Sequence, residues 1–291
     1  MTTENPANSE PVAVERAPRR LPRIGHPHAR QFRTTLAALG LIAVAAVVSA
    51  VILVARQSGG ARAARGPAWS SWAPSSAGSA GVAEIAAHIA PYYRLSAAAQ
   101  LDVITPISVA QTTAAGTTTG SGLTIAVNTS PTGKTPSLGL LNGETVAYNV
   151  CGLGAKNCEL AGTASTVRML LLRREALELA LYTFKYITAS QNVVVVLPPG
   201  HTVSSSGSGA ASTPVTVAVA FVRKQLTPWL QVPLSRTLAQ YPPDVAQLNL
   251  WSQSVEAGFV DQVTAHALFS SQVESQQVGG NLLVLTQLPA Q

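Results

Sequence analysis

Three consecutive charged residues, RRE, interrupt the apolar segment STVRMLLLRREALELALYTFKYI. The apolar residues have the spacing of one long helix over 166–188. At 100° per residue, Arg174, Glu178 and Lys185 share a narrow stripe beside Glu175. The pattern therefore predicts that this stripe is solvated and that the leucines and Phe184 face a core.

Arg173 is the exception, because it falls among the apolar side chains of the same helix. A buried guanidinium is stable only when it is paired and hydrogen-bonded. Arg173 is therefore predicted to form a structural ion pair or to reach the edge of the core. The alternative is a site for the anionic group of a ligand.

Common catalytic motifs are absent from the sequence. There is no GxSxG, SxxK, GxxxxGK[ST] or HExxH. Outside the N-terminal region the histidines His88, His201 and His266 lie far apart, and no spacing pairs the carboxylates. The sequence therefore predicts no catalytic residue, no cofactor and no metal site, and it leaves open an active site assembled from distant residues.

The only two cysteines, Cys151 and Cys158, lie in CGLGAKNCEL. A close and even pair outside the cytoplasm is typical of a disulfide. A zinc site requires about four ligands, and no histidine or further cysteine is near. The spacing also differs from the CxxC of redox pairs. We expect a structural disulfide between the predicted third strand and the long helix.

The composition is typical of a chain with a membrane segment, since only 11% of residues are charged and 47% are hydrophobic. Residues 34–55, TTLAALGLIAVAAVVSAVILVA, contain no charge. As a helix they would extend roughly 33 Å, enough to cross a hydrocarbon core of about 30 Å. The apolar run is too long for a typical cleaved signal peptide. The sequence thus predicts an uncleaved signal anchor.

The positive charge flanks this segment. Residues 1–33 contain six arginines and three glutamates, while residues 66–291 contain ten basic and ten acidic side chains. This bias predicts a cytoplasmic N-terminus and an outer C-terminal domain. The expected partners are the bilayer through 34–55, anionic lipid head groups near the basic tail, and an unidentified envelope protein. Nothing in the charge distribution indicates a nucleic-acid partner.

Four segments follow from these patterns: a disordered cytoplasmic tail at 1–33, the transmembrane helix at 34–55, a flexible stalk at 56–80 and a folded domain at 81–291. Trp69 and Trp72 in the stalk either enter the membrane interface or pack on the domain.

The predicted domain alternates short β-rich runs with one long helix. Apolar strands are expected at NVVVV and VTVAVAFV, and a hairpin is expected about Gly279–Gly280–Asn281. The fold class is therefore an α+β domain, with a mixed sheet and one long amphipathic helix.

Two hypotheses of function are consistent with the sequence. The first is a bacterial envelope protein whose extracytoplasmic domain is a binding or assembly module. The alternative is an extracytoplasmic enzyme that acts on cell-wall or lipid-linked material. An enzyme requires a cleft with titratable groups, whereas a binding module requires a complementary surface or pocket.

Overall fold

The computed structural model describes residues 68–113, 116–129, 137–154, 158–201, 214–276 and 280–288. The predicted tail and transmembrane segment lie outside these residues, as does the first part of the predicted stalk. None of the helices within the described ranges has both the length and the apolar character needed to cross a bilayer.

Five α-helices lie in the described part of the chain. They are α1 (Gly78–Ile89), α2 (Thr166–Tyr186), α3 (Arg223–Leu226), α4 (Leu248–Trp251) and α5 (Val255–Thr264). Short 3-10 helices lie at Ala90–Tyr92, Thr227–Gln231, Leu234–Arg236 and Val245–Gln247. Helix α2 is the longest of the α-helices. It begins after Ser165, whose hydroxyl oxygen accepts a hydrogen bond from the backbone N–H of Arg168. This confirms the long helix predicted from the leucine spacing.

Fourteen strands accompany the helices, and eight of them form one mixed sheet in the order β3-β8-β9-β12-β13-β14-β6-β7. The strands are β1 (Arg94–Ser96), β2 (Ala99–Gln100), β3 (Asp102–Ile107), β4 (Gln111–Thr112), β5 (Thr118–Thr119), β6 (Thr124–Asn128), β7 (Leu138–Leu140), β8 (Thr145–Gly152), β9 (Asn192–Val196), β10 (Gly200–His201), β11 (Pro214–Val215), β12 (Val217–Val222), β13 (Leu268–Gln276) and β14 (Gly280–Gln287). The mixed sheet confirms the α+β class.

Two pairs in the large sheet are parallel. Helix α2 makes the crossover from β8 to its parallel neighbour β9, and β14 returns beside β6. The other neighbours are antiparallel, including the β13–β14 hairpin. A further bridge joins Val109, just after β3, to Leu123, just before β6. This bridge therefore links the chain after the first strand of the sheet order to the chain before β6, the second-last strand.

The sheet buries side chains on both faces. One face contributes Tyr148, Val193 and Phe221 to the larger core, which also contains the apolar residues of α1 and α2. The opposite face contributes a smaller cluster from β6, β8, β9, β12 and β14. Strand β9 contributes to both clusters, as expected for a strand in which successive residues are all apolar.

The segment just before α1 also belongs to the folded unit. Trp69 and Trp72 pack against the larger core, and the backbone N–H of Leu234 donates to the carbonyl of Trp69 at 2.6 Å. Gly81 of α1 lies beneath this segment, since a Cβ at that position would be 2.3 Å from the carbonyl oxygen of Ser76. Residues from 68 onward, which the sequence pattern assigns to the stalk, therefore pack on the domain.

Candidate functional site

Arg174 is the largest fully buried side chain of the described residues. Its Nε donates to Glu256 of α5 at 2.8 Å, and its Nη2 donates to the carbonyl of Ala239 at 2.7 Å. Its Nη1 donates to the Tyr93 hydroxyl at 2.6 Å and to Oε2 of Glu178 at 2.9 Å. Four acceptors from four segments therefore satisfy one buried cation.

The prediction that Arg174 and Glu178 are solvated is wrong. Arg174 is 0% exposed and Glu178 is 7% exposed, whereas Lys185 is half-buried. Helix α2 is covered on its polar stripe as well as on its apolar face, because the chain around Tyr93, Ala239 and α5 packs against the charges. A helical wheel contains no information about these partners. The burial predicted for Leu177 and Phe184 is confirmed, whereas Leu170, for which burial is also predicted, is half-buried.

Electrostatics explain why this buried group of charges is stable. Burial alone disfavours the charge of Arg174, but Tyr93, Glu178 and Glu256 outweigh that cost and raise its pKa. Burial raises the pKa of Glu178, and Arg174 and the Tyr93 hydroxyl partly offset that rise. The pKa of Tyr93 is also raised, mainly by burial, so its hydroxyl stays protonated and donates to Glu178 at 2.8 Å.

A second buried pair lies one residue further along α2. Asp102 and Glu175 are both 0% exposed, and all four of their carboxyl oxygens lack a partner other than each other among the described residues. Two facing carboxylates repel one another, so one group must hold a proton and donate it to the other. Burial raises the pKa of Asp102 to about 7 and holds that of Glu175 well above its ordinary value.

Aromatic rings cluster where α1, α2 and the segment before α1 meet. Trp69 contacts Tyr182 and Tyr186 edge-on, with centroid distances of 5.4 and 5.8 Å. Trp72 stacks on His88 at 3.9 Å. Tyr92 and Tyr241 extend the cluster, which includes six of the ten Trp and Tyr residues in the chain. The closely spaced Trp69 and Trp72 are the part of this cluster that is visible in the sequence.

A cavity of about 290 Å³ opens between these rings. Trp69, His88, Tyr92 and Tyr182 contribute to its lining, and Glu178 is the one carboxylate among its lining residues. Oε2 of Glu178 accepts from Tyr93 and Arg174, whereas Oε1 has no hydrogen-bond partner among the described residues. Glu178 therefore contributes to the aromatic cavity a carboxylate that two donors hold in place. Burial lowers the pKa of His88, which favours a neutral imidazole in this lining.

Arg173 lies at the junction of α2 and α5. Its Nη2 forms an ion pair with Asp261 at 2.7 Å and also donates to the Asp261 carbonyl. Its Nε donates to the hydroxyl of Thr264 at 2.7 Å. The cavity beside Arg173 has a volume of about 270 Å³, and no histidine is among its lining residues. The guanidinium thus ties two helices together at the edge of the core.

A disulfide joins Cys151, near the end of β8, to Cys158, with 4.4 Å between their Cα atoms. This confirms the pairing predicted from the spacing. The adjacent cavity of about 200 Å³ is lined in part by Arg168, whose Nη atoms donate to the carbonyls of Thr163 and Ala161. Its Nε is buried without a partner among the described residues.

His88 lines the aromatic cavity together with Glu178, and the other two histidines named from the sequence lie in other elements. His88 lies in the aromatic cluster, His266 is exposed after α5, and His201 is in β10. In the described ranges, no three His, Cys, Asp or Glu side chains are close enough to hold a metal ion. The aromatic cavity with Glu178 is therefore the candidate site.

Comparison with known proteins finds no matching family model, no matching curated protein and no matching solved structure.

Proposed function

We propose that this chain is a single-pass protein of the bacterial cell membrane whose folded domain is a binding or assembly module outside the cytoplasm. The uncharged run at 34–55 supports the anchor, and the six arginines before it support the orientation. The same arginines would attract anionic lipid head groups at the inner surface. The binding partner of the domain is an envelope component.

The cavity beside Glu178 is the observation that carries the binding function. Ligand sites are concave, mostly apolar, and contain a few fixed polar groups. Trp69, Tyr92 and Tyr182 supply the apolar walls, and Glu178 supplies the polar group. Arg174 and Tyr93 hold Oε2 of that carboxylate, so its geometry is set before any ligand arrives.

Capture of the full chain from detergent-solubilised membranes tests the proposal. Ser235 is an exposed residue of the cavity lining, so Ser235→Trp should fill the cavity without disturbing the core. Val273→Thr on β13 is the matched control, because Val273 is 64% exposed and does not line the cavity. A component captured by the wild type and by the control, but lost with Ser235→Trp, supports this binding site. Identical capture by all three proteins contradicts it.

A second candidate function is an enzyme that acts on cell-wall or lipid-linked material. The observation in its favour is that His88 and Glu178 line the same cavity. However, Glu178 bonds to Arg174 and Tyr93, and the ring of His88 stacks on Trp72. If the chain is an enzyme, purified protein should hydrolyse such material and His88→Gln should abolish the activity. A binding module predicts no activity in either protein.

A further inference from the structure

The charges around Glu178 do not balance. Arg174 contributes one positive charge, while Glu178 and Glu256 contribute two negative charges to the same group of ion pairs. The next basic residue of the helix, Lys185, donates to the carbonyl of Leu230 and forms no ion pair with any described carboxylate. Glu256 is partly exposed and also accepts from the Ala239 N–H and from Nε1 of Trp251, but the carboxylate of Glu178 is buried. Burial of that charge is costly, and a bound cation would reduce the cost.

The walls of the cavity also favour a cation. The faces of Trp and Tyr rings attract cations electrostatically, and recognition of organic ammonium groups by aromatic cages uses this attraction. Trp69 already accepts such a contact, because Nζ of Lys185 lies 5.6 Å from its ring centroid. Tyr92 and Tyr182 supply further rings, and the carboxylate of Glu178 supplies the opposite charge.

We propose that the cavity between Trp69, Tyr92, Tyr182 and Glu178 binds an organic ammonium group. This inference rests on the proposed binding function and names the chemical class of the ligand. The same group occurs on free amines and on lipid head groups, and the cavity would recognise either through its positive charge. Neutral sugars also bind to aromatic rings and carboxylates, but they would leave the excess negative charge uncompensated.

Calorimetric titration of the full chain in dodecyl maltoside tests the ligand class. The probes are choline, its neutral isostere 3,3-dimethyl-1-butanol, glycerophosphocholine and methyl glucoside. We expect choline to bind about tenfold more tightly than the neutral isostere, as expected for a cation desolvated against aromatic rings. Glycerophosphocholine binding as tightly as choline would assign the site to a lipid head group, and preference for choline would assign it to a free amine.

Two variants separate binding from folding. Glu178→Gln keeps the shape and the acceptor for Tyr93 but removes the charge, so choline should lose its advantage over the isostere. If that protein fails to fold, Tyr92→Leu, at an exposed ring, should weaken choline binding without changing the melting temperature. Val273→Thr is the control and should bind choline as the wild type does.

Equal binding of choline and the isostere, or binding of methyl glucoside alone, would overturn the ammonium assignment. No binding of choline by any of the folded proteins would overturn it as well. The broader proposal fails separately, because its capture test is contradicted when Ser235→Trp captures the same envelope components as the wild type and the control.

Discussion

Adjacent arginines on α2 differ in what surrounds them. Arg174 is fully buried with two carboxylates, whereas the partner of Arg173, Asp261, has a side chain that is 63% exposed. Removal of one member of a buried ion pair leaves an uncompensated charge, while an exposed pair contributes little. The same substitution at neighbouring positions should therefore have unequal effects.

We predict that Arg174→Met lowers the free energy of unfolding by about 3–5 kcal/mol, whereas Arg173→Met lowers it by about 1 kcal/mol or less. Guanidinium unfolding of the full chain, followed by tryptophan fluorescence, measures both. Similar losses in the two variants would mean that the burial of Arg174 has been misassigned.

The Asp102–Glu175 pair makes stability depend on pH. In the folded chain, a carboxyl group of this pair stays protonated above the ordinary carboxyl pKa. In the unfolded chain the same group loses its proton there, so a rise in pH favours unfolding. The pKa of Asp102 is about 7 in the folded chain and 3.8 in its ordinary state. The contribution of protonated Asp102 to the free energy of unfolding is therefore complete below about pH 4. It is lost as the pH rises to about 7, by at most about 1.4 kcal/mol per pH unit.

We predict that Asp102→Asn weakens this dependence, because it removes the Asp102 proton and the Asp102 charge that helps to raise the pKa of Glu175, while burial still raises the pKa of Glu175. Relative to the wild type, the variant should gain stability between pH 5 and pH 8. The raised pKa of Glu178 acts in the same direction, but it is common to both proteins and cancels in the comparison. Parallel curves of melting temperature against pH would show that Asp102 does not titrate in this range.

At the scale of elements, the contact between α1 and the segment before it depends on Gly81. A Cβ at this position would be 2.3 Å from the Ser76 carbonyl oxygen and 3.1 Å from the side chain of Ile187. The Ser76 oxygen is a backbone atom and Ile187 is buried, so the chain at Ser76, which follows Trp69 and Trp72, would have to shift. Gly258 of α5 is the opposite case, because a Cβ there would meet no atom within 4 Å.

We predict that Gly81→Ala lowers the free energy of unfolding by about 1–3 kcal/mol through overpacking. The matched substitution Gly258→Ala should raise it by up to about 1 kcal/mol, since alanine favours the helix. Thermal unfolding measures both changes. A stabilising Gly81→Ala would mean that the segment before α1 adapts freely.

The sequence patterns predicted the helices and strands themselves better than they predicted how these elements pack together. Alternation and apolar runs indicated β9, β12 and the β13–β14 hairpin, and leucine spacing indicated α2. The parallel pairing of β14 with β6 could not be predicted, because it joins segments distant in sequence. The cavity was missed for the same reason, since its lining combines the segment before α1, α2 and the chain near Ser235.

For the whole molecule, the decisive prediction concerns orientation. A reporter that is active only outside the cytoplasm should work when fused after Gln291, because the arginines before residue 34 outnumber those just after residue 55. The control is the same reporter fused before residue 34, which should be inactive. Activity of a cytoplasmic reporter at the C-terminus would show that the orientation is the reverse of the predicted one. A mature chain that starts near residue 64 would show that the segment at 34–55 is cleaved and is not an anchor.

The pairing of β14 with β6 also sets the order of events in time. Thr124 pairs with Leu282, so more than 150 further residues are synthesised after β6 begins before this partner strand is complete enough to pair. Ile125 and Leu285 belong to one apolar cluster, which remains open until then. Such distant pairing slows folding and leaves apolar surface exposed to aggregation during synthesis. A chain that emerges from its N-terminus would therefore need protection until its last strand arrives.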